Sequence, residues 1–159
     1  MSHPLDAVML ALSTVGRAGI VWAAIAVVGL ALRRVRPMAA WQVLLALLLA
    51  LLVGGGILKP LIHSPRPYTV DPHARVIGAR PGDYSFPSGH AATSFAAAVA
   101  LARAWPGGRV AWFVLAALIA LSRVYLGVHF PIDVAGGILI GLACGYFVVS
   151  RTKWSRPPA

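Results

Sequence analysis

An unbroken apolar run over residues 38–58, with no charged side chain in it, decides what kind of fold is open to this chain. A helix of about 20 apolar residues crosses the hydrocarbon core of a bilayer, where every backbone N–H and C=O must be paired within the segment. Further runs follow at 88–105, 110–126 and 130–149, while 18–32 reaches spanning length only by extending back into 5–17. That stretch carries Asp6, Gly16 and Arg17, so it either completes the span or lies along the interface as a separate helix. The pattern predicts an all-α, polytopic membrane helix bundle of about five transmembrane helices, one domain over residues 1–159. Composition agrees: 59% of residues are hydrophobic and 11% charged, where a soluble domain carries roughly 25% charged.

Residues 59–87 are polar and rich in Pro and Gly. They are predicted to form an ordered extramembrane loop, the preceding span ending at Gly54-Gly55-Gly56 and Lys59. The basic, Pro-rich tail 150–159 is expected to fray. The N-terminal MSHPLDAVML has no basic n-region, so insertion is expected to be directed by the spans themselves. Arg33, Arg34 and Arg36, then Arg103 and Arg109, then Arg151, Lys153 and Arg156 fall in alternate connections and therefore on one side, predicted to be cytoplasmic. The Ala-, Val-, Arg- and Gly-heavy composition points to a GC-rich bacterial genome, and hence to the bacterial cytoplasmic membrane.

Fourteen Lys and Arg against four acids give a net charge of +10. All four acids are aspartates (Asp6, Asp71, Asp83 and Asp133), which leaves two-metal carboxylate sites and Glu-based zinc sites without ligands. In a chain this apolar the positive charge is matched to membrane lipids and an anionic lipid headgroup, not to nucleic acid. Cys144, the one cysteine, excludes an intramolecular disulfide. The sequence carries no feature that sets an oligomeric state.

Three polar strings interrupt the apolar pattern at helix ends. In Lys59–Pro67 (KPLIHSPRP), six residues separate Lys59 from Arg66, which lets both side chains turn toward one anion. In Phe86–His90 (FPSGH), Ser88 is placed to cap the helix that follows, Gly89 lets a ligand approach the backbone, and His90 stands in the first turn beside an anion-binding N-terminus. In Ser122–Asp133 (SRVYLGVHFPID), His129 and Asp133 share one helical face, so the carboxylate can fix the imidazole tautomer and activate the other ring nitrogen. Arg123 ends the preceding span and approaches the same point. Arg75, Arg80, His63 and His73 fit no such pattern and are read as loop-surface or headgroup contacts, with His63 a weaker candidate for the pocket wall.

In order, Lys-x6-Arg-Pro, Pro-Ser-Gly-His and Ser-Arg-x5-His-x3-Asp resemble the three-part signature of the type-2 phosphatidic acid phosphatase superfamily, with every position filled between Lys59 and Asp133. The resemblance implies a metal-independent phosphatase with no cofactor. Lys59, Arg66 and Arg123 would bind the phosphoryl oxygens with Ser88 and the Gly89 N–H. His129 would attack phosphorus to give a phosphohistidine, oriented by Asp133, and His90 would protonate the leaving oxygen and then activate water. Integral membrane members of that family commonly have six spans against five here, a difference that falls N-terminal to the motifs. The expected substrate is a lipid phosphate or diphosphate, undecaprenyl diphosphate first, with phosphatidylglycerophosphate, phosphatidate and a polyprenyl-phosphoryl sugar phosphate as alternatives. A non-catalytic binder or transporter would have no use for His90 together with His129 and Asp133. A phosphotransferase would differ only in its acceptor.

Overall fold

A computed structural model of the chain describes residues 3–152, and Met1, Ser2 and residues 153–159, including Lys153 and Arg156, lie outside the described residues. Every regular element among them is helical. Helix α1 (Pro4–Val15) is capped by His3 and Asp6 in a reciprocal box, with Pro at its first position. It stops at Gly16, and the chain then turns through positive φ at Ala18 and Gly19 before α2 (Ile20–Ala31) leaves at a 49° bend. The two alternatives for 5–17 thus meet in one object, a bent pair of helices that is long and apolar enough to cross a membrane only when taken together.

Helix α3 (Pro37–Leu51) does not end at the glycine triad as predicted. It widens into a π-helical turn over Leu52–Leu58 and continues into α4 (Lys59–Ile62). Pro60 supplies no N–H and its ring crowds the carbonyl one turn back, and a run of three glycines lets the backbone widen to accommodate it. The segment expected to be loop also contains α5 (Pro67–Val70) before turning irregular as far as Ser88.

Helix α6 (Gly89–Ala104) forms the axis of the bundle, packed against α3, α7 (Arg109–Tyr125) and α8 (Pro131–Arg151). Its alanines 91, 92, 96, 97, 98 and 100 are all buried, and Ser94 accepts the Trp22 indole N–H of α2 at 3.1 Å. Opposite it, Gly137, Gly141 and Gly145 form one stripe of α8. A Cβ added at Gly145 would lie 2.8 Å from the Ala96 carbonyl, and one added at Gly137 2.9 Å from Ala91 Cβ. Small residues on both helices let the backbones approach closely, which is how helices associate where apolar surface is already surrounded by lipid.

Three helical stretches, Pro37–Val70, Pro106–Tyr125 and Pro131–Arg151, are long and apolar enough to cross a membrane, and the bent α1–α2 pair makes a fourth if it crosses as one. The expected span at 88–105 is a helix, but with 16 residues it rises only about 24 Å against a hydrocarbon core of about 30 Å. With these apolar helices the chain is an integral membrane protein. Val35, Ala39, Ala104 and Trp105 pack together, and Gln42 donates to Thr152 Oγ1, so the Arg33–Arg36, Arg103–Arg109 and Arg151 connections gather at one end. The three polar strings lie at the other.

Candidate active site

At that other end, the guanidinium of Arg66 ties three segments together. Its Nε donates to the Asp83 carbonyl at 2.7 Å, Nη1 to the Val128 carbonyl at 2.6 Å, and Nη2 to Asp83 Oδ1 at 2.6 Å and the Tyr84 carbonyl at 3.3 Å. Lys59 Nζ pairs with the other oxygen of Asp83. The two cations do turn toward one anion, as their spacing predicted. The anion they hold is Asp83, which the sequence pattern had not singled out.

His129 reaches this cluster from the turn between α7 and α8. That turn requires Gly127: its φ is +70°, and a Cβ there would collide with the Arg75 carbonyl. Ile77 N–H donates to the Leu126 carbonyl, which fixes the polar loop on the turn. One ring nitrogen of His129, Nδ1, lies 3.5 Å from Asp133 Oδ2 and 3.4 Å from Ser85 Oγ. The other, Nε2, lies 3.4 Å from Arg66 Nη1. A guanidinium only donates, so this geometry suits a tautomer with the proton on Nδ1 and a lone pair on Nε2. Asp133 also accepts from Ser85 Oγ and, at 2.8 Å, from the Phe130 N–H, which caps α8 and fixes the carboxylate. Burial, opposed by the Asp133 hydrogen bond and reinforced by the Arg66, Arg123 and Lys59 charges, pushes the His129 imidazolium down to about 4. The ring is therefore neutral at physiological pH.

His90 enters from the first turn of α6. Its Nε2 lies 3.1 Å from the Ser13 carbonyl, which can only accept, so Nε2 carries the hydrogen and Nδ1 is the nitrogen left to exchange a proton. Arg123 Nη1 donates to Ser13 Oγ, so the end of α1 supports both groups. Gly16 allows this approach: a Cβ there would lie 2.5 Å from Ile119 Cγ2 and 3.4 Å from His90 Cδ2. Ser88 occupies the N-cap position of α6 but its side chain does not cap the helix, contrary to expectation. Its N–H is spent on the Asp133 carbonyl at 2.9 Å, which joins the starts of α6 and α8. Among the described residues the buried side-chain atoms without a partner are Ser88 Oγ, Arg123 Nε and Gln42 Oε1, two of them at this site.

A cavity of about 240 Å³ brings together Lys59, Arg66, Gly89, His90, Arg123 and His129, with Asp83, Thr93, Leu51, Pro81 and Ala18 completing its wall. Of the predicted site residues, Ser88 and Asp133 do not line it; Asp133 stands behind His129. A second cavity of about 480 Å³ shares His90 and Arg123 and is edged by Arg17 and Arg80. A groove of about 410 Å³ shares Leu51, Lys59, Asp83 and Gly89 and continues past Gly55 and Tyr84. His63 lies outside the central cavity, edge-on to Tyr84 at 4.5 Å. Arg75, on the loop surface, pairs with Asp6, and Arg80 lies over the Tyr68 ring. Asp83, Ser85 and Ser13 are the site residues that sequence reasoning missed. Ser85 alone had a signal, its place next to the FPSGH string. No group of three or more His, Cys, Asp or Glu comes together as metal ligands would among the described residues.

Chemically, the cavity offers three fixed cations, an open helix N-terminus, the His129 imidazole with a lone pair on Nε2, and the His90 imidazole with Nδ1 left to exchange a proton. That set can bind a tetrahedral oxyanion, present a nitrogen lone pair to it, and move a proton on another side.

Comparison with known proteins agrees with the motif order. The chain is 33% identical over 138 residues to the undecaprenyl-diphosphatase of Sulfolobus acidocaldarius, covering 86% of this chain and 66% of that one. It is 32% identical over 123 residues to the lipid A 4'-phosphatase of Porphyromonas gingivalis, covering 70% and 52%. The chain thus spans between half and two thirds of the length of these curated relatives. It superposes on the crystal structure of Aquifex aeolicus LpxE with a TM-score of 0.80 at 29% identity, over 94% of this chain and 88% of that one. The PAP2 superfamily profile matches residues 39–157, which include all three polar strings, and the chain belongs to the PAP2 superfamily.

Proposed function

We propose that this protein is a metal-independent lipid phosphate or diphosphate phosphatase, acting through a phosphohistidine on the extracytoplasmic face of the bacterial cytoplasmic membrane. The observation that carries the reading is the pairing of His129: Asp133 on one ring nitrogen, a lone pair beside Arg66 on the other, and His90 lining the same cavity. His129 Nε2 attacks phosphorus as the bond to the leaving oxygen breaks, and His90, having taken up a proton at Nδ1 as the anionic substrate binds, gives that proton to the leaving oxygen. Water then loses a proton to His90 and attacks the phosphohistidine, releasing inorganic phosphate and the free imidazole. Lys59, Arg66, Arg123 and the first N–H groups of α6 stabilise the charge on the transferring phosphoryl oxygens, while Ser88, expected to join them, lies behind the cavity wall.

The site lies at the end of the bundle opposite the basic connections, which supports an outward orientation. In this reading α6 accompanies the spanning helices as a fifth. Undecaprenyl diphosphate is the preferred substrate, since an outward-facing site suits recovery of a polyprenyl carrier. Phosphatidylglycerophosphate, phosphatidate and a polyprenyl-phosphoryl sugar phosphate are the alternatives. The test is phosphate release by purified protein in liposomes with chelator present, across these lipids and a soluble aryl phosphate. Release that disappears in His129→Ala supports the reading. Lipids bound but never cleaved would turn it into a lipid-phosphate binder, and inhibition by chelator would return a metal to the mechanism.

A further inference from the structure

We propose that Asp83 is a built-in competitor for the phosphoryl group, its carboxylate seated on Lys59 and Arg66 in the unliganded protein and displaced when a phosphate arrives. The inference rests on the phosphatase reading of the same cavity. A guanidinium has five N–H donors, and those of Arg66 are engaged by the carbonyls of Asp83, Tyr84 and Val128, by His129 Nε2 and by Asp83 Oδ1. The carbonyls belong to the backbone that shapes the cavity, and the Nε2 lone pair is the group that must meet phosphorus. The exchangeable acceptor is the Asp83 carboxylate, and its second oxygen also takes Lys59 Nζ. An anion bound by both cations has to take its place.

The exposures show which partner can leave. The Asp83 side chain is 57% exposed, while those of Lys59 and Arg66 are 11% and 4% exposed. The carboxylate can turn into water with little change in solvation; the cations have nowhere to go. Asp83 also edges the central cavity and the grooves on both sides of it, so space to turn is present. Burial raises its carboxyl pKa, but the Lys59 and Arg66 contacts outweigh that and hold it below the usual carboxylate range, so it competes as an anion. Between turnovers it bridges two buried cations that would otherwise repel each other and offsets half of their charge. A phosphate dianion, with more charge and more acceptor oxygens, displaces it; the returning carboxylate then helps expel the product phosphate.

A fixed support and a competitor predict opposite signs. Inorganic phosphate affinity can be measured from the phosphate-induced rise in unfolding temperature of detergent-purified protein, and as a Ki for lipid phosphate hydrolysis. Asp83→Asn and Asp83→Ala should bind phosphate about five-fold more tightly than wild type, while Asp83→Glu, whose carboxylate still reaches both cations, should bind it as wild type does. Unchanged or weaker binding in the neutral variants overturns the proposal. If one neutral variant fails to fold, the other carries the test. The thermal readout needs no turnover, so wild type that binds phosphate yet cleaves no lipid would sink the phosphatase reading separately from this one.

Discussion

The seam between α6 and α8 and the polar layer at its outer end are built on opposite rules. Along the seam, Gly137, Gly141 and Gly145 meet Ala92, Ala96 and their neighbours, and what matters is that side chains are missing. In the polar layer long side chains bridge separate loops, Arg66 alone reaching residues 83, 84, 128 and 129. Yet the seam sets the geometry of the layer. Its two helices begin with Gly89-His90 on one side and Asp133 on the other, joined by the Ser88 N–H on the Asp133 carbonyl. A contact with no functional group in it therefore decides how far apart the two histidines stand. The chemistry of the site is local, and its precision is borrowed from the seam.

The sharpest separation of the two regions comes from His129→Ala. Turnover should fall by at least about 10³-fold, because no neighbouring group can supply the nucleophile, while the unfolding temperature stays near wild type. Residual turnover close to wild type would remove His129 from the mechanism. Asp133→Asn should lower the rate by about 10²- to 10⁴-fold with the helices intact, since it removes the charge that holds Nδ1–H. The mirror experiment is Gly141→Val, far from any reacting atom. Its side chain would run into the Ala92 carbonyl, costing about 1–3 kcal/mol of stability. Activity and thermal stability should decline together. Activity lost with the unfolding temperature unchanged would show that the seam acts on the site by some route other than packing.

Titration offers a gentler probe of the polar layer alone. In the proposed mechanism the imidazole must be neutral to attack, so kcat/KM should fall as pH drops through the His129 value near 4, well below the ordinary 6.5 of a histidine. Arg66→Gln removes a cation that disfavours the imidazolium, so its acid limb should move to higher pH, on top of a weaker grip on phosphate. A limb that stayed in place would mean that His129 is not the group being titrated.

Much of this arrangement was legible in the sequence, and the reason differs between the regions. The three strings carry their chemistry in residue type and spacing: His129 and Asp133 do lie one turn apart, and Lys59, Arg66, Arg123 and His90 do meet. The seam shows as an excess of Ala and Gly, but which glycines face α6 depends on helix rotation, which composition does not encode. Asp83 and Ser13 were invisible for another reason. Each acts through a contact made across the fold, Asp83 with cations 17 and 24 residues earlier and Ser13 with Arg123 110 residues later. The helix through the glycine triad was misjudged because Gly and Pro end a helix in water, whereas a membrane helix has no solvent to take up its freed carbonyls and widens instead.

The smallest effect is expected where α1 is strapped to the polar layer. Asp6 accepts from Arg75 Nη2 at 3.0 Å and from the Tyr125 hydroxyl at 2.8 Å, so one carboxylate holds α1, the loop and the end of α7. The Arg75 side chain is 71% exposed, and an ion pair so open to water and salt contributes little. Arg75→Gln should therefore lower the unfolding temperature by no more than a few degrees and leave kcat within about two-fold, since Tyr125 still holds the carboxylate. Removing the buried end as well, in Asp6→Ala, frees α1 from both partners. Because Ser13 at the far end of α1 supports His90 and Arg123, the loss there should appear in kcat/KM before it appears in stability. Equal and negligible effects for both variants would mean that Ser13 is positioned by the Gly16 contact with α7 alone, and that the strap belongs to neither region.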